Sequence, residues 1–464
     1  MPRLQKVLLI VVACVPWGAP AAGAPRELLR FERGDSLETL RFKIRHNGYS
    51  FTVGRTWVYD LSPDAREAMR GRRPGAVVAS AADDIGPLAN RLGETLPEKF
   101  DWRDLAGRSY IGPIRNQGTC GSCYAFAAAA AAEGTYNFAL GMYDGACVDF
   151  SEAFIVWCLG ALPEYQTHLY GCGGADYKYA ELDALTREGI PFESVFRYAD
   201  EDSQACPDAA RAAPRAVFKS WHRITSGDIE AIKTAINAYG PVDAAVLTND
   251  AFLAYTGGVY DDANTDCPDG DQTETDHAVS LVGWDDSPPD GGGGYWILRN
   301  SYGRDWGEDG YMRIRYGAAR VSCAVSYLVY DASAGPVPTP VPPVLLSCAP
   351  DPPTVGAPFT VDVTVQPWSG RTVDAWAVIF SPQGAVYSFN PADPASLLNR
   401  AAPLAVSIPG LAGAYSHRLL ALTVPQGVSG GYRIVAGLVP AGVAPTGPES
   451  AVDGYLAQRE IVVP

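Results

Sequence analysis

The spacing of apolar positions changes four times along the chain, and each change predicts a different local structure. Residues 36–45 repeat apolar positions at helical intervals, residues 51–59 alternate as a strand would, and Asp60-Leu61-Ser62-Pro63 opens a further short helix. An unbroken alanine run, 127–132, follows Gly118 and Gly121, so an irregular loop is expected to give way to a helix at Cys123. Ser151 is placed to cap a second helix running through Trp157. From residue 242 onward the pattern becomes apolar runs between glycine-rich turns, at 242–247, 277–284, 294–299 and 310–315, which read as strands. Beyond residue 343 come short alternating runs at 359–365, 375–380, 418–424 and 432–438, separated by Gly and Pro. The prediction is an α+β unit followed by an all-β sandwich of immunoglobulin-like type.

The segments between these patterns set the boundaries. Residues 335–343 are proline-rich and should form a stiff spacer between the two units. At the N-terminus Arg3 and Lys6 precede an apolar stretch, and small residues follow through Ala24, the layout of a secretory signal peptide over 1–24. A second reading makes Cys14 a lipidated residue of a bacterial lipobox. The apolar stretch is too short to span a bilayer, and no other segment is long enough, so no transmembrane segment is expected. Before Leu96 there are 14 Lys and Arg against 10 Asp and Glu, a net of +4; with −16 for the whole chain, the remainder carries −20. A mildly basic leading segment thus faces an acidic body, and no nucleic-acid partner is expected.

The candidate chemistry centres on Gln117-Gly118-Thr119-Cys120-Gly121-Ser122-Cys123. A thiol at a helix start faces unpaired N–H groups and the positive end of the macrodipole, which favour its anion, so Cys123 reads as a nucleophile. His277 opens one apolar strand and Asn300 ends another, supplying a base and a group to orient it. Cys120 and Cys123 also have the spacing of a thiol–disulfide exchange pair. Gln117 upstream and the lack of a redox βαβ context oppose that reading, and no second ligand pair at zinc spacing lies nearby.

Five motifs in order carry a family resemblance: Leu96-Pro-Glu-Lys-Phe-Asp-Trp-Arg103, the Gln117 to Phe126 stretch, Tyr170-Gly-Cys-Gly-Gly174, Asp276-His277-Ala278, and Asn300-Ser-Tyr-Gly-Arg-Asp-Trp-Gly-Glu-Asp-Gly-Tyr311. Over about Leu96 to Asp331 the chain resembles the papain-like cysteine peptidases of the cathepsin family. The resemblance implies a two-lobe catalytic domain over 96–334, with Cys123 on a helical wall and His277 and Asn300 on a β-rich wall. It implies an imidazolium–thiolate pair at rest, Gln117 as oxyanion donor, and Trp306 shielding the His277–Asn300 contact. Residues 25–95 would be a propeptide lying in the cleft until removed, and acid-triggered release would follow from the charge contrast.

The resemblance also implies disulfides Cys120–Cys172, Cys158–Cys206 and Cys267–Cys323. That leaves Cys147 and Cys348, either as free thiols or as a bridge to the C-terminal module. Gly173, Gly174 and Ala175 would take the substrate backbone, Ala175 standing where the family has a glycine, so its methyl group is expected to alter subsite preference. Thr275 and Leu328 would line the main specificity pocket. The acidic loop 261–271 reads as solvated, with basic substrates or calcium as alternatives. The expected function is an exported cysteine endopeptidase, secreted or periplasmic, acting on proteins or peptides without a cofactor. A non-catalytic binding protein and a transpeptidase on the same fold are the alternatives. Residues 344–464 would bind a surface or a partner.

Overall fold

The computed structural model describes residues 27–71, 85–337 except 177–178, 200–203, 266, 269–273 and 289, and 344–463 except 351, 366–372, 384, 390–396, 399–402, 409–414, 428 and 441–455. Residues 1–24, expected as a signal peptide, with Cys14 among them, and most of the proline-rich spacer lie outside the described residues. No described helix is long and apolar enough to cross a membrane.

The central element is helix α3, Cys123–Leu140, ended by Gly141 in the left-handed region at φ 64°. Every residue from Cys123 to Asn137 is buried, which explains the alanines. A helix packed on all sides admits only small side chains where neighbours approach closely. At Gly134 even a Cβ would meet the ring of Pro241 at 2.3 Å. One face of α3 joins an apolar cluster with Phe150, Phe154, Ile155, Leu182 and Leu185, the helical lobe. Ser151 accepts from the Phe154 N–H at 3.1 Å as a cap should, but the turn that follows, Phe154–Leu159, is π-helical rather than α-helical.

The β lobe holds all four strands expected there. Its sheet runs Ser220–Arg223, Val325–Val329, Val242–Val246, His277–Asp285, Tyr295–Arg299, Tyr311–Arg315, Val259–Tyr260, with Lys99–Asp101 also paired on His277–Asp285. All of these pairs are antiparallel except the last, Val259–Tyr260 with Tyr311–Arg315. His277–Asp285 is buried along its full length, so a near-continuous apolar run marked it in the sequence.

The leading segment packs onto this lobe. Helix α1, Leu37–Asn47, is capped by Ser36, and helix α2, Pro63–Ala68, by Ser62. Leu40, Ile44, Phe51, Val58 and Met69 join the apolar core of the β lobe. The strand expected over 51–59 is reduced to Thr52–Val53, which pairs with Tyr255–Gly257. A turn follows at once, because the Thr56 hydroxyl leaves the strand direction to donate to the Leu253 carbonyl oxygen at 2.7 Å.

The three expected disulfides are formed, Cys120–Cys172, Cys158–Cys206 and Cys267–Cys323. The bridge between Cys147 and Cys348 is not. The Cys147 thiol donates to the Ser109 carbonyl oxygen at 3.5 Å, and burial pushes its pKa up to about 11. The C-terminal unit is two antiparallel sheets sharing one core. Val344–Ala349, Pro358–Val365 and Tyr415–Thr423 form one, and the other is built around Val373–Phe380 and Gly430–Pro440. The chain leaves the helical lobe where the Val337 N–H donates to the Tyr136 hydroxyl at 2.7 Å.

Candidate active site

Cys123 is the first residue of α3, where the sequence placed it. The Cys120–Cys172 bridge fastens the preceding loop to the turn at Gly171–Gly173, and the Gly121 N–H donates to the Cys172 carbonyl oxygen at 3.2 Å. A Cβ on Gly121 would meet that oxygen at 2.5 Å, so only glycine fits between disulfide and nucleophile. Across the cleft, the Ala278 N–H donates to Cys123 Sγ at 3.3 Å. His277 Nε2 lies 2.8 Å from Asn300 Oδ1. With that oxygen as acceptor, Nε2 carries the proton and Nδ1 keeps the lone pair a base needs.

The ring lying on His277 is Tyr302, stacked at 4.7 Å with 24° between planes. Trp306, expected to shield the pair, stands behind Tyr302 at 5.5 Å and donates through its indole N–H to the Leu253 carbonyl oxygen. The shield is therefore two rings deep, and the nearer one is the tyrosine. Burial in this enclosure brings the His277 pKa down to about 4, opposed by the Asn300 contact and aided by the nearby Arg70 charge. In the closed site burial therefore favours the neutral ring over the imidazolium.

What closes the site is the Met69–Gly71 stretch of the leading segment. The Gln117 amide, the expected oxyanion donor, donates to the Met69 carbonyl oxygen at 3.1 Å and to Cys120 O at 2.8 Å. The Ser301 hydroxyl fixes the amide from behind by donating to its Oε1 at 2.7 Å. Gly71 lies against the nucleophile. A Cβ on Gly71 would sit 2.8 Å from Cys123 Sγ and 2.1 Å from Gly121 O. Its carbonyl oxygen accepts from the Ala175 N–H at 2.7 Å, and Gly174, at φ 95°, has no room for a Cβ against Gly71.

Of the expected backbone-binding stretch Gly173-Gly174-Ala175, Gly174 and Ala175 lie against Gly71 through their main chain. With Gly71 in place, the methyl of Ala175 is buried in the apolar cluster of the helical lobe. Leu328 is buried in that same cluster, cross-strand from Trp221, and Thr275 is buried one residue ahead of Asp276. The acidic loop is not simply solvated: Asp262 is buried and accepts from Asn249, Tyr260 and the Ala319 N–H.

Side chains of the leading segment grip the β wall by charge. Arg33 and Arg70 both reach Asp276 Oδ2, at 2.9 and 3.2 Å, and Arg66 reaches Asp250 at 3.2 Å. The Trp57 indole N–H donates to the Tyr302 carbonyl oxygen at 2.8 Å. Between the walls Arg299 meets Glu133 at 3.3 Å, both buried, and Glu133 also accepts from the Phe150 N–H. This pair pins α3 to the strand that ends at Asn300. Around it Glu152 is a buried acid and Glu193 a half-buried one, and desolvation carries the Glu193 carboxyl up to about 8.

Sequence reasoning missed Ser301 behind Gln117, the Glu133–Arg299 pin and the Met69–Gly71 crossing. The first had a signal, since it follows Asn300 directly. A lone glutamate at the end of six alanines was a signal for the second.

A model of the papain family of cysteine proteases matches residues 96–331. Cysteine proteinase RD21A of Arabidopsis thaliana is 30% identical over 317 residues, 66% of this chain and 63% of that protein, so the chain spans somewhat under two thirds of that relative. A cathepsin L-like peptidase of Aedes aegypti is 30% identical over 289 residues, 61% of this chain and 76% of that protein. Among solved structures, the digestive procathepsin L2 proteinase of Tenebrio molitor larval midgut superposes with a TM-score of 0.51 at 26% identity, covering 63% of this chain and 88% of that one. The procathepsin B S9 of Trypanosoma congolense, at 19% identity and a TM-score of 0.52, shares the fold.

Proposed function

The chain belongs to the papain family of cysteine proteases, and from that premise we propose that it is an exported endopeptidase made as a self-inhibited precursor. The observation that carries the reading is the backbone of Met69 and Gly71 lying on the Gln117 amide, the Ala175 N–H and Cys123 Sγ. Residues 1–24 act as the export signal and 25–95 as the propeptide. Residues 96–334 are the catalytic unit, 335–343 the spacer and 344–464 a β-sandwich that holds a surface or a partner.

Once the propeptide leaves, water reaches His277, and its pKa rises from the low value that burial imposes. The imidazole then takes the Cys123 proton, and the resulting ion pair attacks. Sγ bonds to the scissile carbonyl carbon, and the negative charge that develops on oxygen is met by the Cys123 N–H and the Gln117 amide. Losing one such donor typically costs about 3 kcal/mol in the barrier. The imidazolium protonates the leaving nitrogen, whose bond to carbon breaks, leaving a thioester. Water then gives its proton to His277, its oxygen bonds to the carbonyl carbon, and sulfur departs as thiolate. Asn300 and Tyr302 hold the ring while the proton moves. Thr275 and Leu328 line the pocket that selects the acyl-side residue.

The test is hydrolysis of unfolded casein by the full chain after incubation at mildly acidic pH, beside a Cys123→Ala copy. Fragments from the first alone are expected. Equal cleavage by both, or none by a chain shown to have lost its leading segment, overturns the reading.

A further inference from the structure

The Arg70 side chain does more than hold the leading segment in place: it fills a pocket of the catalytic unit. Its side chain is 6% exposed, although it belongs to a segment that crosses the surface of the cleft. Nε donates to the Thr248 hydroxyl at 3.0 Å and lies 3.2 Å from Asp276 Oδ2. The pocket is built for a cation from its own side. The Thr248 N–H and hydroxyl donate to the two Asp276 oxygens, at 2.8 and 3.0 Å, and so fix that carboxylate in place. Asp250, two residues beyond Thr248 and 2% exposed, takes Arg66 at 3.2 Å. Among the described residues, every cation recorded on Asp276 or Asp250 comes from Arg33, Arg66 or Arg70. When the leading segment leaves, two carboxylates that it covers lose all three guanidiniums at once. Asp276, still held by the Thr248 N–H and hydroxyl, is then a fixed anion ready to take another cation.

The position of the pocket says which part of a substrate would supply it. Asp276 immediately precedes His277, and the imidazole has to hand its proton to the leaving nitrogen. The opposite side of the nucleophile is occupied by Ala175, whose N–H takes backbone. We propose that Asp276, with Thr248 and Asp250, forms a subsite that selects an arginine side chain, and lysine less well, on the leaving-group side of the cleaved bond. The proposal rests on the peptidase reading above and deepens it. Arginine is preferred because it is the side chain the pocket takes in the closed form: Arg70 Nε meets both Thr248 and Asp276, while its Nη1 pairs with Glu67 of the leading segment.

The test compares peptides that differ at one residue on the leaving-group side, arginine against citrulline, which keeps the shape and removes the charge. The full chain is matured by its own processing, and kcat/KM is measured for each peptide. Arginine is expected to be cleaved at least about tenfold faster, the size of one charge-assisted hydrogen bond, with lysine between the two. Asp276→Asn and, separately, Asp250→Asn are expected to shrink the arginine-to-citrulline ratio, whatever happens to the absolute rate. Ratios within twofold of one in the unsubstituted enzyme overturn the subsite and leave the peptidase reading standing. No cleavage of any peptide, with the leading segment gone, overturns the peptidase reading itself. Should Asp276→Asn fail to fold, the peptide pair on the unsubstituted enzyme still decides.

Discussion

The two walls of the cleft are held shut in different ways. On the helical wall the leading segment offers backbone: Met69 O to the Gln117 amide, Gly71 O to the Ala175 N–H, and a bare Cα against Cys123. On the β wall it offers charge, with three arginines on Asp276 and Asp250. Main-chain contacts depend on close fit and are indifferent to salt and to most changes of sequence. Charge contacts fix register and respond to pH and ionic strength. The comparison separates how tightly a site is closed from what opens it.

The largest expected effect comes from removing what joins the walls. Glu133→Ala leaves Arg299 buried beside a lost partner and frees the Phe150 N–H, a change that costs about 3–5 kcal/mol for a broken buried pair. Chemical denaturation in a Cys123→Ala background, which removes self-cleavage, measures it. A loss under 1 kcal/mol would mean that packing alone holds the lobes together.

Acidification should open the site without unfolding the protein. In the closed state the His277 pKa is about 4, against 6.5 for an ordinary histidine, so the closed state binds fewer protons than the open state between those values. Closure is therefore complete above pH 6.5 and is progressively lost as pH falls toward 4, by roughly 3 kcal/mol in all. Burial raises the Asp276 pKa, so this anchor of the arginine grip also protonates earlier than an ordinary aspartate. Glu193 acts oppositely on the fold. With its pKa at about 8 in the native state, it contributes stability below pH 4.5 that is lost as pH rises to 8. The protection of the Ala175 amide against hydrogen exchange, in the Cys123→Ala chain, should drop about a hundredfold between pH 6.5 and 4 while the core strands keep theirs.

A paired substitution separates the two grips directly. Gly71→Ala forces a methyl into Gly121 O and Cys123 Sγ, an overpacking that costs about 1–3 kcal/mol. Arg33→Met removes an ion pair from a half-exposed arginine and should cost about 0.2–1 kcal/mol. In Ala175 exchange, the first loss should persist in roughly 1 M salt and the second should vanish there. The reverse pattern would exchange the roles assigned to the two walls.

Much of this was legible in the residues. Two glycines before a cysteine and alanines after it specify a loop turning into a helix at Cys123, because propensity and burial agree there. The strand ends that carry His277 and Asn300 stood out for the same reason, being apolar runs bounded by turns. The module after residue 343 gave strands of the right period at the right places. The leading strand was overread because alternation over 51–59 says nothing about how much partner strand is available, and Tyr255–Gly257 offers three residues. The crossing at Met69–Gly71 was the least legible of all, since main-chain contacts leave no mark on the side-chain pattern.

The bridge between Cys120 and Cys172 bears on how this chain survives its own oxidation. Six cysteines must pair while a seventh, three residues from one of them, must not. Once Cys120 is committed to Cys172, the Gln117–Phe126 stretch holds no second thiol. A Cys123 oxidised to the sulfenic acid could then not be rescued by its neighbour and would depend on thiols from outside. Gly71 pressed against Sγ keeps peroxide and foreign disulfides from that atom during the same period. Latency in this chain is therefore also an antioxidant: what withholds the sulfur from peptides preserves it until peptides arrive.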